Sequence, residues 1–215
     1  MMIASDLEGT LTSGTTWKAV GRYLVQHGRQ QAYRLFFATH LLGVPLVKTR
    51  LILEQSYRTR WMTDLARLFK GMTSAELVQM AVWVVEHELW PKCRATVLEE
   101  LRAFQEQGHQ VLLATGAYQE VAEAFAQRMG AVAIGTPLAM EDGHATGQLA
   151  CPINNGQYKA DNLRPYLKGA ILDIAYGDSL ADMPMLELSQ SPVVVCPEPA
   201  LHALAVQRGW RIVVS

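Results

Sequence analysis

The chain has 215 residues, of which 50% are hydrophobic and 18% are charged, and its formal net charge is −1. A chain of this length and composition can bury a full core, and its nearly balanced charge gives no overall electrostatic attraction to nucleic acid. We therefore expect one large domain, or one domain that carries an insertion, and no nucleic-acid partner.

The cysteine pattern and the apolar runs bear on the cellular compartment. The three cysteines lie far apart and are odd in number, which favours neither a disulfide framework nor a zinc site. The N-terminus lacks the succession of basic, apolar and small residues that signal peptides show. The longest apolar run, residues 35–47, is interrupted by His40 and Pro45 and is too short to cross a bilayer. We expect a cytoplasmic location.

Two carboxylates follow the first apolar segment of the chain. Residues 1–4 predict a short buried strand, and Asp6, Glu8 and Gly9 come directly after it. Ligands collect at the carboxyl ends of strands in open α/β sheets, and residues two apart on an extended chain face the same way. Because a buried carboxylate pair repels itself, a cation or a shared proton is its natural companion. The alternative is that Asp6 caps a helix and Glu8 lies in a solvated turn.

The pattern from residue 15 to residue 88 is helical throughout, with apolar residues at spacings of three and four and no strand candidate. Thr73 and Ser74 ahead of Glu76 form a helix N-cap signal with an acidic first turn. This segment predicts a small all-helical domain inserted after the first strand.

Helices and strands alternate in the rest of the chain. The predicted helices are 91–107, opened by Pro91, then 119–129 and 157–167; the predicted strands are 111–114, 131–134, 170–176, 193–196 and 211–214, with a hairpin at Asp142-Gly143. Such alternation implies a parallel sheet built from βαβ units, and hence the α/β class.

Two stretches offer groups that suit an anion. Thr115 and Gly116 follow the strand at 111–114 just ahead of a helix, where a hydroxyl and free backbone N–H groups form an anion site. Lys159 lies near the start of a later helix, after residues 154–156, from where its side chain could reach a phosphate at the sheet edge. The alternatives are an ordinary helix entry and a solvated lysine.

Asp178 and Asp182 lie in the run Gly-Asp-Ser-Leu-Ala-Asp, at a strand end and in the helical turn that follows it. They could bind a hard cation together. Mg²⁺ prefers a few carboxylate oxygens, water and substrate phosphate, and Asp6, Asp178 and a backbone carbonyl could supply the protein ligands. The alternative is that both acids cap the helix that follows.

Four motifs stand in a characteristic order: Asp-Leu-Glu-Gly-Thr-Leu-Thr at 6–12, Thr115-Gly116 at a strand end, Lys159, and Gly-Asp-Ser-x-x-Asp at 177–182. In this the chain resembles the haloacid dehalogenase-like hydrolase superfamily over nearly its whole length. The segment from Gly177 onwards, with Cys196-Pro-Glu-Pro and Arg208-Gly-Trp, is similar to the phosphoserine phosphatase-like branch.

The resemblance implies a fold and a domain division. The expected core is a doubly wound parallel-sheet, Rossmann-like α/β domain formed by residues 1–12 and 89–215. The expected insertion is an all-helical cap domain formed by residues 13–88, which agrees with the helical pattern of that segment.

The resemblance also implies roles for the site residues. Asp6 matches the nucleophile that forms an aspartyl-phosphate; Asp6, the Glu8 backbone carbonyl and Asp178 match the Mg²⁺ ligands; Thr115, Gly116 and Lys159 match the phosphate-binding positions; Asp182 would orient Lys159 or the metal's waters. A carboxylate nucleophile divides hydrolysis into two displacements, while Mg²⁺ and lysine offset the repulsion between anions.

Glu8 departs from the common pattern, in which an aspartate is the general acid and base. Glutamate keeps the chemistry but adds a methylene, and a positioning error near 1 Å can cost about a hundredfold in rate. Enolase-phosphatases resemble this chain in having Asp-x-Glu, so we expect activity to be retained.

The expected function is Mg²⁺-dependent hydrolysis of a small-molecule phosphomonoester, either a small or an amphiphilic organic phosphate. The alternatives are a phosphotransferase, in which an acceptor alcohol replaces water, and a non-catalytic protein that senses or binds phosphate. The sequence indicates neither the substrate nor the oligomeric state.

One apolar stretch of the expected cap, flanked by Arg34 and Lys48, contains Leu35, Phe36, Phe37, Leu41, Leu42, Val44, Leu46 and Val47. The favoured interpretation is the interior seam of a helical bundle. A helix that is apolar all round must be buried or must contact something apolar, so the alternative is an acyl or prenyl tail of the substrate, or an anionic membrane surface.

Overall fold

The computed structural model describes residues 1–41, 43 and 54–214, apart from the side chains of 54–56. Its strands are β1 (Met2–Ser5), β2 (Gln110–Tyr118), β3 (Val132–Thr136), β4 (Leu138–Glu141), β5 (His144–Leu149), β6 (Leu172–Gly177), β7 (Ser189–Val195) and β8 (Arg211–Val213). Its α-helices are α1 (Thr16–Gln26), α2 (Gln30–Leu41), α3 (Glu54–Ala66), α4 (Ser74–Val84), α5 (Ala95–Glu106), α6 (Gln119–Met129), α7 (Gly156–Leu167), α8 (Met183–Glu187) and α9 (Pro199–Arg208).

Within the described residues, six strands form one parallel sheet in the order β3-β2-β1-β6-β7-β8. β1 lies in the middle and pairs in parallel with β2 on one side and with β6 on the other. The chain first builds the sheet outward from β1 through β2 and β3, and then returns to the other side of β1 at β6. The strand order therefore reverses between β1 and β6, which is where open α/β sheets bind ligands.

Helices cover both faces of this sheet. Successive residues of each strand alternate between two apolar clusters, so that Ile3 and Leu113 pack on one face while Ala4 and Leu112 pack on the other. The first face is covered by α5 and α6, and the second by α7, α8 and α9. The predicted Rossmann-like α/β fold with a parallel sheet is confirmed, as is the hairpin at Asp142-Gly143, which joins the antiparallel pair β4 and β5.

The described part of residues 13–88 is helical, as predicted, and contains α1 to α4, a 3₁₀ turn at Arg67–Phe69 and a π-helix at Val85–Leu89. The capping signal is confirmed: Glu76 N–H donates to Thr73 Oγ1 at 3.2 Å, and Thr73 N–H donates to Glu76 Oε2 at 2.7 Å. Apolar side chains of these helices join the cluster on the first sheet face. The domain division at residues 12 and 89 stays a prediction.

Three boundary predictions were wrong, one of them the start of β7, which lies at Ser189 and not at residue 193. Pro91 does not open a long helix but lies in a 3₁₀ turn, Trp90–Lys92, and α5 begins only at Ala95. The helix is interrupted because Cys93 is extended and Arg94 N–H donates to Leu11 O at 2.8 Å, which joins the two segments that flank residues 13–88. β2 also runs further than predicted, through Thr115 and Gly116, to Tyr118.

The apolar stretch of α2 is only partly an interior seam. Phe36 is buried, whereas Leu35 is 69% exposed and Leu41 is 52% exposed, so the seam interpretation is wrong for these two leucines. Leu42, Val44, Leu46 and Val47 lie outside the described residues. No helix within the described ranges is long and apolar enough to cross a membrane.

Candidate active site

All the predicted site residues line one cavity of about 290 Å³, at the edge of the sheet where β1 and β6 end. They are Asp6, Glu8, Thr115, Gly116, Lys159, Asp178 and Asp182. Asp6 follows the last residue of β1, and Asp178 follows the last residue of β6. Because neighbouring parallel strands end at the same edge, residues that are far apart in sequence meet at the reversal point of the strand order.

Lys159 is the charged centre of this group and is 2% exposed. Its ammonium donates to Asp6 Oδ1 at 2.7 Å and to Asp182 Oδ1 at 2.6 Å. Burial lowers the pKa of an ammonium, but the charges of Asp182 and Asp6 outweigh burial and hold the pKa of Lys159 above its ordinary value. Lys159 is therefore a buried, charged lysine, and the solvated alternative is wrong.

Asp182 has two functions in the local structure. One oxygen accepts from Lys159, while Oδ2 accepts from Ser179 N–H at 3.2 Å and from Ser179 Oγ at 3.0 Å, as in a capping box. Burial raises the pKa of Asp182, but Lys159 and these hydrogen bonds outweigh it, so the net shift is downward. Asp182 thus contacts Lys159 and completes the capping box of the 3₁₀ turn Leu180–Asp182, whose N-cap residue is Ser179. Its side chain makes no capping hydrogen bond to α8, so the predicted alternative of capping the following helix is wrong for Asp182.

Three carboxylates share the site. One carboxylate oxygen each of Asp6, Asp178 and Asp182 lies within 4.8 Å of the others. Burial raises the pKa of Asp6 to about 7, against the opposing charge of Lys159. Burial, with the nearby charges of Asp6 and Asp182, raises the pKa of Asp178 to about 8. Ionising three carboxylates beside a single lysine is costly without a further cation. Hard carboxylate oxygens are the ligands that Mg²⁺ prefers, so the residues present fit a divalent ion.

A tight turn after β1 packs closely against Asp178. Gly9 has φ +91°, and a Cβ added there would lie 2.1 Å from Asp178 Oδ2. Thr10 Oγ1 lies 3.4 Å from Asp6 Oδ2 and 3.2 Å from Asp178 Oδ1, so its hydroxyl can donate to either carboxylate. The sequence analysis missed Thr10, although its hydroxyl lies inside the 6–12 motif, four residues after Asp6.

Glu8 lies in the pocket wall and points its carboxylate at the start of α1. Glu8 Oε1 accepts from Thr16 N–H at 2.5 Å. Burial raises the pKa of Glu8, while the hydrogen bond from Thr16 and the charge of Arg58 act in the opposite direction. The alternative that Asp6 caps a helix does not fit its buried contact with Lys159. The alternative that Glu8 lies in a solvated turn does not fit its hydrogen bond with Thr16.

Thr115 and Gly116 are not at a helix N-terminus, because α6 begins only at Gln119. They lie where the pairing of β2 with β3 is interrupted, between Ala114 and Tyr118. Thr115 Oγ1 accepts from Ala117 N–H at 3.2 Å. The expected position at the sheet edge is correct, but a strand irregularity replaces the expected helix entry.

Asn154 supports this irregular segment and was also missed. Its fully buried side-chain amide donates to Thr115 O at 3.2 Å and to Ile134 O at 2.7 Å. These are backbone carbonyls beside the interrupted pairing of β2 with β3. The amide therefore satisfies acceptors that the strand ladder leaves free.

The α3 helix adds a wall of the cavity that sequence spacing could not indicate. Arg58, Thr59 and Met62 line the pocket together with the residues at the sheet edge. Tyr118, at the end of β2, donates its hydroxyl to Met62 O at 2.7 Å, and its ring packs edge-on against Phe69. These contacts hold α3 against the end of β2.

Comparison with known proteins agrees with this geometry. A family model described as haloacid dehalogenase-like hydrolase matches residues 3–187, which is most of the chain. The chain belongs to the haloacid dehalogenase-like hydrolases. "Phosphoserine phosphatase SerB1" of Mycobacterium tuberculosis is 33% identical over 148 residues, which cover 66% of this chain and 48% of that protein. The chain thus matches about half the length of this relative.

Solved structures show the same fold. A protein of unknown function from Bordetella pertussis Tohama I superposes with a TM-score of 0.81 at 21% identity, covering 99% of this haloacid dehalogenase-like chain and 97% of the other. A phosphoserine phosphatase in its apo form superposes with a TM-score of 0.63 at 18% identity, covering 99% and 92%. The predicted likeness to the phosphoserine phosphatase-like branch is supported by the 33% identical relative, while these two structures show the fold.

The turn at Gly9 generates the first testable prediction. In Gly9→Ala the new methyl would overlap the Asp178 carboxylate, so we expect Asp178 to be displaced and activity to fall by about a hundredfold or more. Gly28→Ala is the matched control, because Gly28 has φ +81° and nothing within 4 Å of an added Cβ.

The control should show only the cost of the left-handed backbone, roughly 1–2 kcal/mol of unfolding free energy. The measurements are denaturant unfolding and phosphate release for both variants. Equal activity in Gly9→Ala and Gly28→Ala would show that the turn does not place Asp178.

Proposed function

We propose that this chain is a Mg²⁺-dependent phosphatase that hydrolyses a phosphomonoester through an aspartyl-phosphate on Asp6. The observation that carries the proposal is the buried contact of Asp6 with Lys159, inside a cluster of carboxylates at the strand-order reversal. A carboxylate beside a buried cation can approach a phosphate dianion without the repulsion that two anions would otherwise meet.

The residues of the chain divide the reaction between them. An Asp6 oxygen attacks phosphorus and the ester P–O bond breaks, while Glu8 gives its proton to the leaving alkoxide. Glu8 then takes a proton from water, whose oxygen attacks phosphorus, releases inorganic phosphate and restores the Asp6 carboxylate. Lys159, the Thr115 hydroxyl and the Gly116 N–H would bind phosphoryl oxygens. Bound Mg²⁺, held by Asp6, Asp178 and the Glu8 carbonyl, would supply positive charge beside those oxygens.

The cavity supports a small substrate. Its volume of about 290 Å³ lies at the lower end of the range for small-molecule sites. Arg58 of α3 adds a cation to the lining of the cavity, so a second anionic group on the substrate would be favoured. We propose that residues 13–88 form the cap that selects the substrate. We also propose that the protein acts in the cytoplasm.

An amphiphilic substrate remains the second candidate, because Leu35, Phe37 and Leu41 of α2 are exposed. Each methylene buried on binding would contribute about 0.8 kcal/mol, so kcat/KM should rise steeply with chain length if a tail binds there. The measurement is kcat/KM for alkyl phosphates of increasing chain length. If kcat/KM does not change with chain length, the amphiphilic substrate is excluded and the small organic phosphate is retained.

The second prediction tests the proposed function. Asp6→Asn removes the nucleophilic charge but keeps the shape of the side chain, so we expect phosphate release to be lost while the fold is retained. The measurement is phosphate release from a panel of phosphomonoesters with Mg²⁺, with and without an added alcohol acceptor.

The outcomes separate the alternatives. A transphosphorylated alcohol would indicate a phosphotransferase, and binding of phosphate without turnover by the unaltered protein would indicate a sensing or binding protein. Full activity in Asp6→Asn would exclude Asp6 as the nucleophile.

The third prediction concerns Glu8. Glu8→Gln cannot protonate a leaving group, so we expect hydrolysis of an alkyl phosphate to fall at least about tenfold more than hydrolysis of an aryl phosphate, whose leaving group needs little protonation. The measurement is kcat for both esters in both proteins. Equal losses on the two esters would assign Glu8 a structural role.

A further inference from the structure

Glu88 is a buried carboxylate that the proposed mechanism does not use. Its side chain is 4% exposed, and it lies in the π-helix Val85–Leu89, where the chain leaves the helical segment and returns toward the sheet. Single-turn π-helices inside longer helical runs are frequent at functional sites. A buried charge is costly unless it is paired, so the partners of Glu88 indicate what the residue is for.

The partners of Glu88 come from two segments, α1 with its N-cap residue and the 3₁₀ turn Trp90–Lys92. Lys92 Nζ, in the 3₁₀ turn, donates to Glu88 Oε1 at 2.5 Å, and Arg22 Nη2, on α1, donates to Glu88 Oε2. Thr15 N–H, just before α1, donates to Glu88 Oε1 at 3.3 Å. Burial raises the pKa of Glu88, but these hydrogen bonds and charges outweigh it, and the net shift is downward. Glu88 is therefore an ionised residue that ties α1 to the returning chain.

Glu88 and Glu8 bind adjacent backbone groups. Thr15 N–H donates to Glu88, and Thr16 N–H donates to Glu8 at 2.5 Å. Thr15 is the N-cap residue of α1, yet its own side chain makes no capping hydrogen bond. Two carboxylates from other parts of the chain thus hold the start of this helix.

The two segments also approach closely at this point. A Cβ added to Gly14 would lie 2.7 Å from the Glu88 carbonyl oxygen, and Thr12 Oγ1 donates to Leu89 O at 2.6 Å. The start of α1 therefore cannot shift relative to Glu88 without breaking several contacts. The Thr16 N–H at the start of this helix is the group that donates a hydrogen bond to the Glu8 carboxylate.

We propose that Glu88 is a positioning residue for Glu8: by binding Arg22, Lys92 and Thr15 N–H, it fixes the start of α1 and hence the direction of the Glu8 carboxylate. Glutamate has one more side-chain torsion than aspartate, so its carboxylate needs an anchor to stay in one place. The effect on catalysis rests on the proposed acid–base role of Glu8, whereas the effect on Glu8's position does not.

The fourth prediction compares Glu88→Gln with Glu86→Gln. Glu86 is the matched control because it lies in the same π-helix, is half exposed, and has Arg128 as its ion-pair partner at 3.9 Å. We expect Glu88→Gln to lower kcat for an alkyl phosphate by about ten- to a hundredfold, with a much smaller loss for an aryl phosphate and little change in KM. Glu86→Gln should leave both rates unchanged.

A readout that needs no turnover separates this inference from the proposed function. The Thr16 amide resonance reports its hydrogen bond to the Glu8 carboxylate, and we expect Glu88→Gln to shift it in the same direction as Glu8→Gln does. If no ester is hydrolysed by the unaltered protein, the proposed function fails, and the amide shift still decides whether Glu88 positions Glu8.

A double-mutant cycle completes the test. If Glu88 acts through Glu8, Glu88→Gln should add no further loss of alkyl phosphate hydrolysis in the Glu8→Gln protein. Arg22→Gln, which removes a half-exposed partner and keeps Glu88, should give a smaller change of the same kind even if Glu88→Gln does not fold. Equal losses on both esters, additive effects, or an unchanged Thr16 amide would overturn the proposal.

Discussion

The ammonium of Lys159, held between Asp6 and Asp182, is the interaction on which the rest of the site depends. A buried charge costs several kcal/mol unless it is paired, and removal of one partner leaves the other uncompensated. With Asp178 nearby, the ionised cluster contains more negative than positive charge. Burial raises the pKa of Asp6 and Asp178, and the charge of Asp182 adds to both shifts. The surplus of negative charge makes the site receptive to a divalent cation.

The fold assembles this cluster from distant parts of the sequence. Asp6 and Asp178 follow β1 and β6, which are neighbours in the sheet, while α7 delivers Lys159 from the side. The turn at Gly9 and Thr10 packs against Asp178 and places the Thr10 hydroxyl within reach of both aspartates. Helix α1 and the returning chain at Glu88 then fix the other carboxylate of the motif, Glu8. Each catalytic candidate is thus held by a backbone element and by a polar neighbour.

The strand ends and the site residues on them could be predicted because both depend on local pattern. An apolar run followed by Asp or Gly-Asp marks a strand end, and parallel strands bring their ends together. Thr115-Gly116 instead lies inside β2, where its pairing with β3 is interrupted. Thr10 and Asn154 were missed because their hydrogen bonds depend on turn and strand geometry. Arg58 and Glu88 were missed because tertiary packing brings them to their positions. The helix predicted to begin at Pro91 was wrong because the hydrogen bond from Arg94 N–H to Leu11 O interrupts it.

The central claim is that Asp6 carries the phosphoryl group during turnover. The most direct measurement is to quench the enzyme with acid within the first turnover, to reduce the acyl phosphate with borohydride, and to map the modified residue by mass spectrometry. The account predicts modification at Asp6 alone, and none in Asp6→Asn. Phosphate release without an acyl phosphate, or with modification at another residue, would contradict it.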